Sequence, residues 1–160
     1  MLTGLLNRHG FEHEMQNAIA QVARYKELSL LAYFDLDNFK QINDTYGHIA
    51  GDVILKEVAS VMTKSIRQTD AASRLSGDEF CILFTRCDIK KAEERTGYIR
   101  HTLRKINLNY NGFKLSVGAS MGVSIISPGL TLEEIFNSAD KAMYDNKRQR
   151  KESLKHTHLS

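Results

Sequence analysis

Between Arg8 and Tyr25 the apolar residues Phe11, Met15, Ala18, Ile19 and Val22 recur at three- and four-residue spacing. That period predicts a helix with one buried face. Leu28 to Phe34 follows with few polar breaks, as in a strand covered on both faces. Phe39 to Tyr46 reads as a short helix with Asp37 or Asn38 as its N-cap, broken at Gly47-His48. From Ile49 the set Ala50, Val53, Ile54, Val58, Val61 and Met62 marks a second helix, ending near Arg67. Ala71–Leu75 and Phe80–Phe84 are apolar runs of strand length, separated by a short polar break containing Gly77, which is a β-hairpin signal. Asp88 then caps a helix through Ala92, Ile99, Leu103 and Ile106. Phe113, Leu115 and Val117 alternate, as do Met121, Val123 and Ile125, predicting strands that meet near Gly118. After a Pro128-Gly129 turn, Thr131 and Glu134 form a capping box that opens the last helix through Ile135, Ala139, Ala142 and Met143. This order predicts an α+β domain, an antiparallel sheet with helices packed on it.

At 160 residues the chain has the size of one domain, long enough for a sizeable core. An apolar fraction of 42% and a single proline fit a compact protein rather than a disordered one. No run of eighteen apolar residues occurs, so no membrane span is expected. The N-terminus lacks the basic and apolar segments of a signal peptide. Cys81 and Cys87 lack zinc-type spacing, and Cys81 sits in an apolar strand; a reduced, cytoplasmic setting is the natural expectation. The net charge is +3, and after Asp145 the cations Lys147, Arg148, Arg150, Lys151 and Lys155 outnumber Asp145 and Glu152. Basic residues are not spread over a face, so no nucleic-acid partner is expected. The basic end suits a small phosphorylated ligand, or is simply a solvated helix end and frayed tail.

The candidate chemistry lies in two acidic clusters. Asp78 and Glu79 fall at the tip of the expected hairpin, and Asp35 falls at the end of the first strand. An acidic turn alone is ordinarily a solvated one. Carboxylates contributed by both a strand end and a neighbouring hairpin are a plausible seat for hard cations such as Mg²⁺, which take oxygen ligands and keep substrate phosphates as the rest. Two such ions are the usual machinery for in-line attack on phosphorus.

Ser76-Gly77-Asp78-Glu79-Phe80 resembles the signature of the GGDEF family, the diguanylate cyclases, with Ser76 where the family has its first glycine. Leu2-Thr3-Gly4-Leu5-Leu6-Asn7-Arg8, Asp35-Leu36-Asp37-Asn38-Phe39-Lys40, Asn43-Asp44, Tyr46-Gly47-His48 and Gly51-Asp52 agree in order and spacing, as do Gly122-Val123-Ser124 and Ala139-Asp140-Lys141-Ala142-Met143-Tyr144. The resemblance implies a ferredoxin-like, palm-type sheet over residues 1–151, leaving 152–160 as a disordered basic tail. It implies condensation of two GTP into cyclic di-GMP with release of two pyrophosphates, across a homodimer in which each domain holds one GTP. Asp35, Asp78 and the Leu36 carbonyl match the ligands of two Mg²⁺ ions per site, with Mn²⁺ as a substitute. Asp78 also matches the proton acceptor, Glu79 a neighbouring assistant, and Lys40 the lysine that stabilises charge on the transferring phosphate. Asn43 and Asp52 match the guanine readers. Phe39, Ser76, Gly77, Lys147 and Lys151 fall among the remaining substrate-binding positions. Arg67 and Asp70 match an inhibitory product site, which Arg95 or Arg100 would complete.

Two departures from the family pattern bear on activity. Serine at 76 would be strained if the site needs positive φ. The usual Lys-x-x-Gly-Arg-Asn ending reads Lys147-Arg148-Gln149-Arg150-Lys151-Glu152, so a lysine replaces a forked guanidinium. The alternative function is therefore a catalytically weakened domain that senses GTP or cyclic di-GMP. A sensory or dimerising domain usually precedes the family's catalytic domain, so a fragment of a longer bacterial protein, membrane-anchored or not, is expected.

Overall fold

The computed structural model describes residues 2–159, with side chains through 155. The elements are α1 Arg8–Tyr25, β1 Ser29–Asp37, α2 Phe39–Tyr46, α3 His48–Ser65, β2 Ala71–Ser76, β3 Glu79–Phe84, α4 Ile89–Arg104, β4 Leu108–Tyr110, β5 Phe113–Leu115, β6 Gly118–Ile126 and α5 Leu132–Leu159. Four strands form one antiparallel sheet in the order β2-β3-β1-β6, with β1 central between β3 and β6.

Strand periodicity divides the core. Leu30, Ala32, Phe34 and Leu36 of β1 join Phe80, Ile82 and Phe84 of β3 under α3 and α4, with Ile54, Val58 and Ile99. The alternate residues Leu31 and Tyr33, with Cys81 and Leu83, pack under α1 and α5 against Phe11, Met15, Ile135, Ala139 and Met143. Opposite faces of one strand thus serve two helical layers, which is why its sequence is apolar without alternation. Gly122 brings α5 onto β6: a Cβ there would stand 2.2 Å from the Met143 nitrogen and 2.4 Å from the Ala139 oxygen. Helix starts follow the sequence signals. Asp88 accepts from the Lys91 N–H at 2.8 Å, and Thr131 with Glu134 forms a reciprocal capping box.

The structure corrects several expectations. β1 runs three residues past Phe34, so Asp37 is its last residue and not the cap of α2. Asn38 occupies the N-cap position at φ 63°, without a capping side-chain bond. The stretch around Phe113 does not pair with the strand after Gly118; β5 pairs with β4 in a separate hairpin. Its turn is Asn111-Gly112, at φ 50° and 84°, a left-handed pair whose Asn-Gly signal is visible in the sequence. α5 continues as helix through the stretch expected to be a tail, while Ser160 lies outside the described residues. Among the described residues, no helix is long and apolar enough to cross a membrane.

Candidate active site

The hairpin tip is latched to the end of β1. The Leu36 N–H donates to the Asp78 carbonyl at 3.0 Å, and Asp35 lies in register with Glu79. Gly77 takes φ 33° in the turn, and its carbonyl accepts from Arg74 Nε at 2.9 Å. Ser76 is not among the residues with positive φ, so serine there carries no left-handed strain. Its hydroxyl donates to Glu79 Oε2 at 2.9 Å, and the Tyr33 hydroxyl donates to the same oxygen at 3.1 Å. Burial and then the Glu79 charge hold the Tyr33 phenol above its ordinary value, so it remains a proton donor to Glu79.

Asp35 is held by only one of its carboxylate oxygens. Lys147 Nζ donates to its Oδ2 at 3.0 Å, whereas its Oδ1 is buried without a partner. Burial pushes its acidity down, raising the pKa; the Lys147 bond opposes this, and the adjacent Asp78 charge adds to it. Burial opposes the charge on Lys147, but the bond to Asp35, with Asp37 and Asp78 nearby, holds its pKa above the usual value. An orphaned buried carboxylate oxygen beside a second carboxylate fits a hard divalent cation, which would satisfy the oxygen and separate the charges. Among the described residues no three acidic, histidine or cysteine side chains converge. The donor set therefore suits a cation that completes its shell with phosphate and water.

The remaining expected residues lie around this centre. Asn43 on α2 faces Gly51 on α3 so closely that a Cβ at 51 would be 1.9 Å from its Oδ1. Phe39 is buried beside them, and Asp52 is the exposed neighbour of Gly51. Lys40 is also exposed, and among the described residues neither Lys40 nor Asp52 makes a side-chain hydrogen bond or ion pair. Asp52 lies beyond the first turn of α3, so a helix-terminus role does not explain it. Lys147 and Lys151 line a cleft of about 420 Å³ at the ends of β1 and β6, together with Arg104, Arg150 and Asp37.

Arg67 and Asp70 lie apart from this centre, on the connection into β2. The Asp70 side chain is fully shielded and accepts from the Arg67 N–H at 2.9 Å, Arg67 Nη2 at 3.1 Å, the Thr85 N–H at 3.1 Å and Arg95 Nη2 at 3.0 Å. Arg95 joins the cluster, lying 4.6 Å over the Phe84 ring; no bond from Arg100 to it is found among the described residues. Burial raises the Asp70 pKa, but the bonds from Arg67, Thr85 and Arg95 outweigh it and leave the carboxyl below its ordinary range.

Sequence reasoning missed Tyr33, Gly51 and Arg150. Arg150 donates to Asp37 Oδ2, to the Ala119 carbonyl and, at 3.5 Å, to Ser120 Oγ; Ser120 in turn donates to Asp37 Oδ1 at 2.9 Å. The signal available was spacing: Lys147 and Arg150 lie one helical turn apart, and Asp35 and Asp37 lie on one face of a strand.

An antiparallel sheet bearing a carboxylate pair where its central strand meets a hairpin tip, with helices on both faces, has the form of a palm-type domain. Residues 1–153 match the family described as "Diguanylate cyclase, GGDEF domain", and the chain belongs to that family. It is 35% identical over 147 residues to the diguanylate cyclase DgcS of Shewanella oneidensis, covering 91% of this chain and 48% of that protein. It is 33% identical to the diguanylate cyclase DgcP of Pseudomonas aeruginosa, covering 96% of this chain and 23% of that one. The chain thus spans half or less of the length of these relatives. Among solved structures it superimposes with a TM-score of 0.89 on the P. aeruginosa diguanylate cyclase SiaD, in complex with its activator SiaC, at 34% identity over 92% of this chain and 57% of that one. The coiled coil and GGDEF domain of DgcB from Caulobacter crescentus, in complex with c-di-GMP, gives 0.88 at 30% identity over 92% and 79%.

Proposed function

We propose that this domain is a diguanylate cyclase, joining two GTP molecules into cyclic di-GMP across a homodimer. The observation that carries the reading is the buried, unpartnered Asp35 Oδ1 beside Asp78 at the hairpin tip. Asp35, Asp78 and the Leu36 carbonyl would hold two Mg²⁺ ions, or Mn²⁺, which when bound neutralise phosphate charge and polarise the phosphoryl oxygens. Asn43 and Asp52 bind the guanine, with Phe39 supporting the α2–α3 corner. Gly77 and Ser76 border the nucleotide at the turn, and Lys147 and Lys151 take its terminal phosphates.

Two domains facing each other align each GTP 3′-hydroxyl with the α-phosphorus of the other nucleotide. The 3′-oxygen forms the new P–O bond, the bond from the α-phosphorus to the bridging oxygen breaks, and pyrophosphate leaves with that electron pair. The 3′-hydroxyl proton passes to Asp78, with Glu79 held alongside by Tyr33 and Ser76. Lys40 balances the charge that develops on the phosphate oxygens. The reciprocal attack, by the other nucleotide's 3′-oxygen on the remaining α-phosphorus, releases the second pyrophosphate and closes the ring.

Arg67, Asp70 and Arg95 form the proposed inhibitory product site. Because Asp70 is shielded and fully engaged, a guanine edge reaches it only if Arg67, about half exposed, swings outward. Pairing of two such domains through an attached dimerising or sensory domain, as a further part of the protein, belongs to the same proposal.

Incubating the protein with GTP and Mg²⁺ at several protein concentrations, with chromatographic measurement of cyclic di-GMP, tests it. A rate rising faster than linearly with protein supports a dimeric cyclase. Folded protein that binds GTP and makes no product at any concentration supports the sensing module. The altered ending at Arg150-Lys151 is the observation that favours the module.

A further inference from the structure

Both α5 and β1 change character along one shared face. On β1, Leu31 and Tyr33 are buried and are followed on the same side by Asp35 and Asp37. On α5, Ala139 and Met143 are buried and are followed by Lys147 and Arg150. The charged halves meet as two rungs, Lys147 on Asp35 and Arg150 on Asp37. Asn146 adds a third tie, accepting from the Met121 N–H at 3.1 Å.

The two rungs are unequal. The Lys147–Asp35 rung belongs to the proposed metal and phosphate centre. The Arg150 rung is structural in its chemistry: one guanidinium joins β1 through Asp37 and β6 through the Ala119 carbonyl and the Ser120 hydroxyl. Gly118 leaves room for it, since a Cβ there would stand 3.2 Å from Asp37 Oδ2 and 3.4 Å from Arg150 Nη2. Arg150 therefore fixes the rotation and height of α5 one turn beyond Lys147. Removing it takes away the tie of α5 to β1 and β6 just beyond Lys147, and leaves the lysine ammonium freer to move from the mouth of the cleft.

We infer that Arg150 is a positioning residue: its clamp on Asp37, Ala119 and Ser120 aims Lys147 at the terminal phosphates of the bound nucleotide. This rests on the cyclase reading of the site. It also gives the altered helix ending a purpose, because Arg150 stands where the family pattern has glycine, a residue that can make no such clamp.

The test is calorimetric binding of a nonhydrolysable GTP analogue with Mg²⁺ to the 160-residue chain and to R150A, R150K, K147A and the K147A/R150A double variant. Thermal unfolding of each checks that it is folded. R150A is expected to weaken binding about tenfold, and R150K to recover most of the loss, in keeping with a charge-assisted clamp. The decisive comparison is the cycle: in the K147A background, R150A should cost less than about twofold, because the lysine it aims is gone. An R150A that binds like the unaltered chain overturns the inference. So does an R150A that costs as much without Lys147 as with it, which would make Arg150 a direct phosphate ligand or a merely structural residue. If the unaltered chain binds no guanine nucleotide, the cyclase reading itself fails, an outcome visible before any variant is compared.

Discussion

Gly51→Ala separates stability from recognition. The added Cβ would stand 1.9 Å from Asn43 Oδ1, 3.0 Å from Asn43 Cγ and 3.3 Å from Phe39 Cζ. The first atom is the end of a side chain, so the clash is relieved by turning Asn43 rather than by moving a helix. Turning it off its rotamer costs about 0.5–1.5 kcal/mol. Alanine in place of glycine inside α3 returns up to about 1 kcal/mol of helix propensity. The two nearly cancel, and the urea midpoint should shift by less than about 1 kcal/mol in stability. Recognition does not cancel. If Asn43 makes two hydrogen bonds to guanine, losing them costs about 1–3 kcal/mol, roughly a 5- to 150-fold rise in Kd. The loss should be base-specific. An amide that accepts from the guanine 2-amino group distinguishes GTP from ITP, which lacks it, so calorimetry should show that preference shrinking in the variant. A Gly51→Ala protein that stays folded, binds GTP tightly and keeps its full preference over ITP would refute the assignment of Asn43.

Asp35→Asn removes one of the paired carboxylates and the partner of Lys147; Mn²⁺ binding followed by electron paramagnetic resonance should weaken by more than about 100-fold, with cyclic di-GMP formation falling in parallel. Asp70→Asn should destabilise the fold by about 2 kcal/mol, less than a wholly buried pair would, because Arg67 is about half exposed. The Asp70 pKa is lowered in the folded state, so its contribution is present above the unfolded value near about 4 and is lost as pH falls through the folded one. Urea unfolding should accordingly show stability dropping below about pH 4, and Asp70→Asn should flatten that part of the profile. Ser76→Gly restores the family residue at a position that has no positive φ, so cyclic di-GMP formation should change by less than about threefold; a large gain would show that serine does impair the turn.

The elements that were legible in the sequence are those whose period is long or whose chemistry is local. α1 and α3 show their buried faces over five turns each, and the caps at Asp88 and Thr131 act within three residues. Short pieces were less readable. β4 has only three residues, and its Asn111-Gly112 turn signal was overlooked beside the longer alternation after Phe113. Asp37 was misread for a physical reason: an acidic residue just before a helix has the composition of a cap, and only its partner Arg150, 113 residues away, shows otherwise. A separation of 112 residues likewise hides Lys147 from Asp35. What joins them is the packing of apolar residues that are individually unremarkable.

That packing is also what makes the site. Gly122 sets how closely α5 approaches β6, and Ala139 and Met143 set which helical face meets Leu31 and Tyr33. Once that register is fixed, the next positions along both elements have no choice of neighbour: Lys147 arrives over Asp35 and Arg150 over Asp37. The hairpin obeys the same logic, since the β1–β3 register that buries Phe34 beside Phe80 also places Asp35 opposite Glu79. Mild core substitutions that shift either register, by side-chain repacking alone, should therefore damage nucleotide binding before they unfold the domain. Gly122→Ala, whose Cβ meets backbone atoms that cannot rotate away, should lose both together, in contrast to Gly51→Ala, where only a side chain has to move.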